Sequence, residues 1–295
     1  MSAPGTDPEM AAIKSFLAAN GGPGILTADV GMLRAMLSSM SPKGGPDMFA
    51  VEDREVGGVP VRVYRPGEGV PGTIILYHGG GWVLGSVADY DHFARSLAQR
   101  TGCRVVSVEY RLAPENPFPA AVEDAWAVLS AIDADGPLFV MGDSAGGNLS
   151  AVVAQMARDR GAPKLDGQIL IYPSVAGDAD SAAMHAFVPS TMKREEIAAF
   201  FDLYVPAPQD RSDIRFAPLR GRLDGLPPAL LIVAGDDLAA DEGNRYASAL
   251  AQAGVPVTLH EEPDAFHAFL TLFPDTQAAS RSRQAIDAFI ANRLQ

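Results

Sequence analysis

Residues 138–160 read LFVMGDSAGGNLSAVVAQMARDR. The run opens with an unbroken apolar segment, as a strand buried on both faces does. It ends in a helical segment, 145–160. Between them GDSAGG (142–147) makes a strand-to-helix turn and matches G-x-S-x-G. A serine on such a sharp turn has its hydroxyl lifted clear of the sheet. Gly142 and Gly146 supply the missing Cβ that the turn requires. The N–H of Ala145, at the helix start, faces the place where an oxyanion would develop, and the helix dipole reinforces it. Roughly one chain in six of this composition carries the pentapeptide by chance, so its strand–turn–helix context is what gives it weight. The competing reading is a phosphate-binding turn. Neither G-x-x-x-x-G-K-[ST] nor G-x-G-x-x-G follows.

Outward from this unit the pattern repeats. Strand-like runs are expected at 50–55, 59–64, 73–78, 104–110, 138–143, 167–172, 229–235 and 256–262, and helices at 120–131, 145–160, 240–253 and 277–294. Eight apolar runs separated by helices predict an α/β fold, a mostly parallel eight-stranded sheet covered by helices on both faces. Two amphipathic helices are expected at 7–20 and 27–40, where Val30, Leu33, Leu37 and Met40 share one face. Residues 174–228 are too long for a simple connection. They hold a helical segment at 193–204 and read as an insertion packed with the N-terminal helices into a cap. The organisation expected is cap helices at 1–48, core at 49–173, cap insertion at 174–215 and core again at 216–295.

HGGGW (78–82) follows the third strand. Three glycines let a loop backbone approach a substrate and direct N–H groups at one oxygen. His78 reads as a brace for the loop. A serine hydroxyl needs a base, and the base needs a carboxylate to hold it. In this arrangement the chain order is Ser, Asp or Glu, His. His260 lies inside the alternating strand VTLHEE, where packing explains it. His267 follows in the loop PDAFHAF, and loops at the C-terminal ends of parallel strands are where sites form. His92 and His185 read as cap or surface residues. After ALLIVAG, Asp241 is explained as a helix N-cap, and Asp236 and Asp237 are equal candidates for the acid. Asp143 reads as a local hydrogen-bond acceptor, and Glu109, Arg111 and Glu115 as a buried ion pair under the glycine loop.

The composition sets limits. A net charge of −13 disfavours nucleic acid and anionic membrane surfaces as partners. One cysteine, Cys103, forms no internal disulfide and reads as a buried thiol. MSAPGTDPEM lacks the basic and apolar regions of a leader, and no apolar run reaches spanning length. A cytoplasmic location is expected. No HExxH, CxxC or calcium loop is present, so no metal and no cofactor are expected.

Together HGGGW, YRLAPENPFPAAVEDA (110–125), GDSAGGNL (142–149), LPPALLIVAGDD (226–237) and DAFHAF (264–269) strongly resemble the bacterial hormone-sensitive lipase family of esterases, from about residue 51 to the C-terminus. The resemblance implies an α/β-hydrolase fold and a cap. It implies Ser144 as nucleophile, His267 as base and Asp237 as the residue orienting it. The oxyanion hole would be made by Gly79, Gly80, Gly81 and Ala145. Where the family often has Pro-Leu after the acid, this chain has Leu238. It also has Asn116 where histidine is common and Ala268 where glycine is common. The implied activity is hydrolysis of short- to medium-chain carboxylic esters, with Trp82, Phe187, Phe201 and Tyr204 walling the pocket. Amide or lactone hydrolysis, or ligand binding without catalysis, are the alternatives. The partners expected are a small ester and, as a homodimer, a second copy of the chain.

Overall fold

In the computed structural model, residues 7–20, 24–134, 136–187 and 191–294 are described. The chain runs α1 (Pro8–Asn20), α2 (Val30–Met40), β1 (Ala50–Val56), β2 (Val59–Arg65), β3 (Thr73–Tyr77), α3 (Asp91–Thr101), β4 (Arg104–Val108), α4 (Ala120–Ala131), β5 (Leu138–Asp143) and α5 (Ala145–Arg160). It continues through β6 (Gly167–Ile171), α6 (Ala182–Ala186), α7 (Arg194–Tyr204), β7 (Ala229–Asp236), α8 (Ala240–Gln252), β8 (Val257–Phe266), α9 (Phe269–Leu272) and α10 (Gln277–Ala291).

The eight strands form one sheet in the order β1-β2-β4-β3-β5-β6-β7-β8. The first two pair antiparallel, β2 meets β4 antiparallel, and all later neighbours are parallel. Alternation in β3 shows why both faces are covered. Ile75 and Tyr77 enter the core formed with α4, α5 and α8, while Ile74 and Leu76 enter the one formed with α3 and α10. Each large aliphatic side chain so buried contributes about 1.5–3 kcal/mol.

The expected eight-stranded, mostly parallel sheet is therefore the one observed, with shifts at element ends. The second N-terminal helix starts at Val30, because Asp29 caps it by accepting the N–H of Met32 at 2.9 Å. Asp241 is not a cap. It lies in the first turn of α8, paired with Arg245. β8 runs on to Phe266, past Pro263, because Gly235 carries no Cβ. One there would lie 2.3 Å from the Pro263 carbonyl oxygen. Close approach at that point, beside an irregularity in the β7–β8 register, brings Asp237 and His267 out at adjacent strand ends. α3, α6 and α9 were not expected from the sequence.

The N-terminal helices take different places. α1 packs on β8, with Met10 fully buried, and Lys14 reaches Asp236 at 2.5 Å. α2 lies over the glycine loop. Its Arg34 donates to the carbonyls of Val83 and Ala113, each at 2.9 Å, and pairs in two-pronged fashion with Glu115.

Candidate active site

Ser144 sits between β5 and α5 at φ +54°, a backbone conformation costly for any residue with a Cβ. The turn closes only because its neighbours are glycines. A Cβ on Gly142 would lie 2.4 Å from Gly146 backbone atoms, and one on Gly146 would lie 2.0 Å from the Tyr77 carbonyl oxygen. The hydroxyl meets His267, with Nε2 2.8 Å from Oγ. His267 Nδ1 lies 2.6 Å from Asp237 Oδ2, and the other oxygen, Oδ1, accepts the Ala239 N–H at 3.0 Å. Asp237 is thus held from both sides, while Asp236 points to Lys14 on α1.

Burial drives the His267 pKa down, but the carboxylates of Asp237, Asp143 and Glu242 more than offset it. The imidazole is left above the ordinary histidine value. The proton on Nδ1 faces Asp237, so Nε2 offers a lone pair to the serine. Ala268, next in the chain, stands at φ +66°, the left-handed region that glycine enters freely.

The glycine loop is braced from below. His78 is fully buried, its Nδ1 lies 2.8 Å from the Gly79 carbonyl, and its ring stacks on Tyr110 at 4.2 Å. Burial pushes its pKa down to about 4, so the ring is neutral and acts as the brace expected. Gly79 is a correction. Its N–H donates to Tyr90 Oη at 2.9 Å, and that hydroxyl donates to Asp143 Oδ2 at 3.0 Å. Its donor is therefore already committed, whereas Gly80 and Gly81 line the cleft. Ala145, first residue of α5, has an N–H with no intrahelical acceptor. Asp143 is the acceptor expected, and burial lifts its pKa to about 6.

A cleft of about 1120 Å³, counting its mouth, opens over Ser144. Trp82 and Phe201 are among the residues that line it. Tyr204 is not. It stacks behind Trp82, with centroids 4.6 Å apart, where two large rings fill the core under the loop. Phe187, 38% exposed, is also not a wall residue. It caps the end of the short helix α6 and faces solvent. Leu37, Ser41 and Pro42 from α2 and its exit, Met192 and Phe200 at α7, and His92 and Phe93 from α3 complete the walls. The apolar ones carried no signal beyond helical periodicity, and His92 was misread as a cap or surface residue because α3 was not recognised. The expected ion pair of Glu109, Arg111 and Glu115 does not form. Arg111 instead binds Asp124, with Nη2 2.7 Å from Oδ1, Glu115 binds Arg34, and Glu109 accepts the Val87 N–H. Alternate residues of an irregular loop point apart, and the acids within reach of the guanidinium are Asp124 and, at 3.5 Å, Glu123, both on α4.

Among the described residues no group of three or more His, Cys, Asp or Glu side chains is placed to hold a metal. No helix there is long and apolar enough to cross a membrane.

Residues 74–271 match a family described as the alpha/beta hydrolase fold. The carboxylesterase NlhH of Mycobacterium tuberculosis is 41% identical over 255 residues, 79% of each chain. The ethyl acetate hydrolase of Pseudomonas putida is 38% identical over 232 residues, 72% of each. Among solved structures, the hyperthermophilic esterase of Pyrobaculum calidifontis superposes with a TM-score of 0.87 at 35% identity, over 98% of this chain and 99% of that one. The chain belongs to the α/β-hydrolase family, in its hormone-sensitive-lipase-like branch.

Proposed function

We propose that the protein is a serine carboxylesterase that cleaves short- to medium-chain carboxylic esters through an acyl-enzyme. One observation carries the reading: Ser144, His267 and Asp237 form an unbroken hydrogen-bonded chain, 2.8 and 2.6 Å long in its two links, at the floor of a mostly apolar cleft. The names of its relatives, carboxylesterase and ethyl acetate hydrolase, support the same chemistry.

His267 Nε2 takes the proton of Ser144 as Oγ attacks the ester carbonyl carbon. The oxyanion that forms is met by the N–H groups of Gly80, Gly81 and Ala145. Asp237 holds the imidazole in the productive tautomer and stabilises the imidazolium. The alcohol leaves with the proton from His267. Water, activated by the same imidazole, then attacks the acyl-enzyme, and collapse of the second tetrahedral intermediate returns the proton to Ser144. α2 and the insertion at 174–215 act as the cap that sets which ester fits. The lone buried thiol of Cys103 suits the cytoplasm. A homodimer would have a mass in solution of twice 31.0 kDa.

The test is labelling with a fluorophosphonate, followed by p-nitrophenyl esters of graded chain length. The expected result is a single adduct on Ser144, absent in Ser144→Ala, and faster turnover of butyrate than of palmitate. No adduct on Ser144 would refute every hydrolase version. Preference for palmitate would refute the chain-length assignment.

A further inference from the structure

Glu242 belongs to the first turn of α8, yet it is 3% exposed and lines the cleft together with Ser174, Ala239 and His267. The outer face of the same turn carries Asp241 and Arg245, which pair with each other in solvent. Glu242 turns inward. Its Oε2 accepts the N–H of Val175 and the N–H of Ala176, each at 2.6 Å. These residues continue the loop that leaves β6 beside the nucleophile. Ser174, one step earlier, donates its N–H to the Ser144 carbonyl at 3.4 Å, and its own carbonyl accepts from Asn148 Nδ2 at 2.7 Å. The loop is thereby tied to α5 on one side and to α8 on the other.

Anchoring two N–H groups needs only a neutral oxygen. A buried carboxylate does the same work at a higher desolvation cost, so its charge requires a second explanation. We propose that Glu242 is a positioning residue of the same site, clamping the β6 exit loop beside Ser144 and lending a second negative charge to the imidazolium of His267. This rests on the esterase reading above. The charges that bear on it are those of Asp237, just past the end of β7, and Arg245 on the outer face of its own helix, while His267 feels those of Asp237, Asp143 and Glu242. Burial raises the Glu242 pKa to about 7, so it ionises over the range in which the base works.

Glu242→Gln separates the two roles, because the amide oxygen still accepts both N–H groups while the charge is gone. The folded-state pKa of Glu242 lies above its ordinary value of 4.5. Its share of stability is therefore full below about 4.5 and lost as pH rises through about 7. At pH 8 the amide variant should melt no lower than the parent. The His267 midpoint, read by NMR from its Cε1–H signal, should fall by about half a pH unit. The acid limb of kcat/KM on p-nitrophenyl butyrate should move down with it, and kcat at pH 8 should drop about three- to tenfold. Glu242→Ala should instead lower the melting temperature and raise KM, since both N–H groups lose their acceptor. An unchanged His267 midpoint in Glu242→Gln, or a profile that superimposes on the parent's, overturns the proposal. A parent that turns over no ester refutes the esterase reading instead, and the NMR midpoint still decides whether Glu242 acts on His267.

Discussion

The C-terminal end of the sheet and the cover formed by α2 and α7 build the same cleft by different means. At the sheet, backbone sets the positions. The missing Cβ atoms of Gly142, Gly146 and Gly235 would each meet main-chain atoms within 2.4 Å, and the hydrogen bonds of Ser144, His267 and Asp237 hang from those turns. At the cover, side chains set them. A Cβ on Gly81 would meet the ring of Phe200 at 2.5 Å, and one on Gly24 the carboxylate of Glu196 at 2.0 Å, both of which can swing away. Arg34 holds α2 down through a side-chain pair that is half exposed at Glu115. Backbone fixes the geometry of Ser144, His267 and Asp237, and adjustable side chains line the cover above them.

The sharpest way to break that contrast is Gly146→Ala. Its Cβ has no flexible neighbour to displace, so the substitution should cost about 3 kcal/mol or more and leave no measurable esterase activity. Urea unfolding and a butyrate assay read both. A folded, active Gly146→Ala would show that the elbow tolerates movement.

Next in size is Tyr90→Phe. It strips the buried Gly79 N–H of its acceptor and Asp143 of a donor, which costs about 1–3 kcal/mol. The glycine loop should lose register, lowering kcat about ten- to hundredfold with KM nearly unchanged. A fall in KM-dependent binding with kcat intact would move the network from the oxyanion loop to the substrate wall.

How much of this was legible follows from where each residue sits. Ser144, the glycine loop and His267 are legible as candidates because strand, turn and order each constrain them. Asp236 and Asp237 were equal candidates because neighbours at a strand end differ only in which way they leave it. The turn at Gly235 and the salt bridge of Asp236 to Lys14, far away in the chain, separate them only in three dimensions. Glu242 carries no signal of its own in the sequence, since a carboxylate in a first helical turn already has an explanation in the dipole. α3 went unseen because its N-cap, Tyr90, makes no side-chain cap bond. Phe187 and Tyr204 were misplaced because aromatic residues on a cap helix give no sign of which side faces the cleft.

The cover should respond in selectivity. Phe200→Ala should raise the palmitate-to-butyrate ratio of kcat/KM about five- to tenfold, with a smaller stability loss than Gly146→Ala. An unchanged ratio would take Phe200 out of the wall.

The smallest expected difference lies in pH. Asp143 has a folded pKa of about 6, above the ordinary 3.8. Its contribution to stability is full below about 3.8 and is lost as pH rises through 6. Glu115 runs the other way. The hydrogen bond from Arg34 lowers it to about 2 from 4.5, so the latch on α2 is intact above 4.5 and lost as pH falls towards 2. Being exposed, it is worth less than about 1 kcal/mol. Asp143→Asn should flatten the stability curve between pH 4 and 6, and Glu115→Gln below 4.5, by urea midpoints. Coincident curves for the two variants would erase the distinction between floor and cover.

The most direct test of the central claim pairs two neighbours. Asp237→Asn should lower kcat/KM for p-nitrophenyl butyrate about ten-thousandfold without unfolding the protein, whereas Asp236→Asn should stay within about tenfold of the parent, since His267 Nδ1 meets Asp237 and Asp236 points to Lys14. Near-parental activity in Asp237→Asn, or an equal collapse in Asp236→Asn alone, would contradict the account.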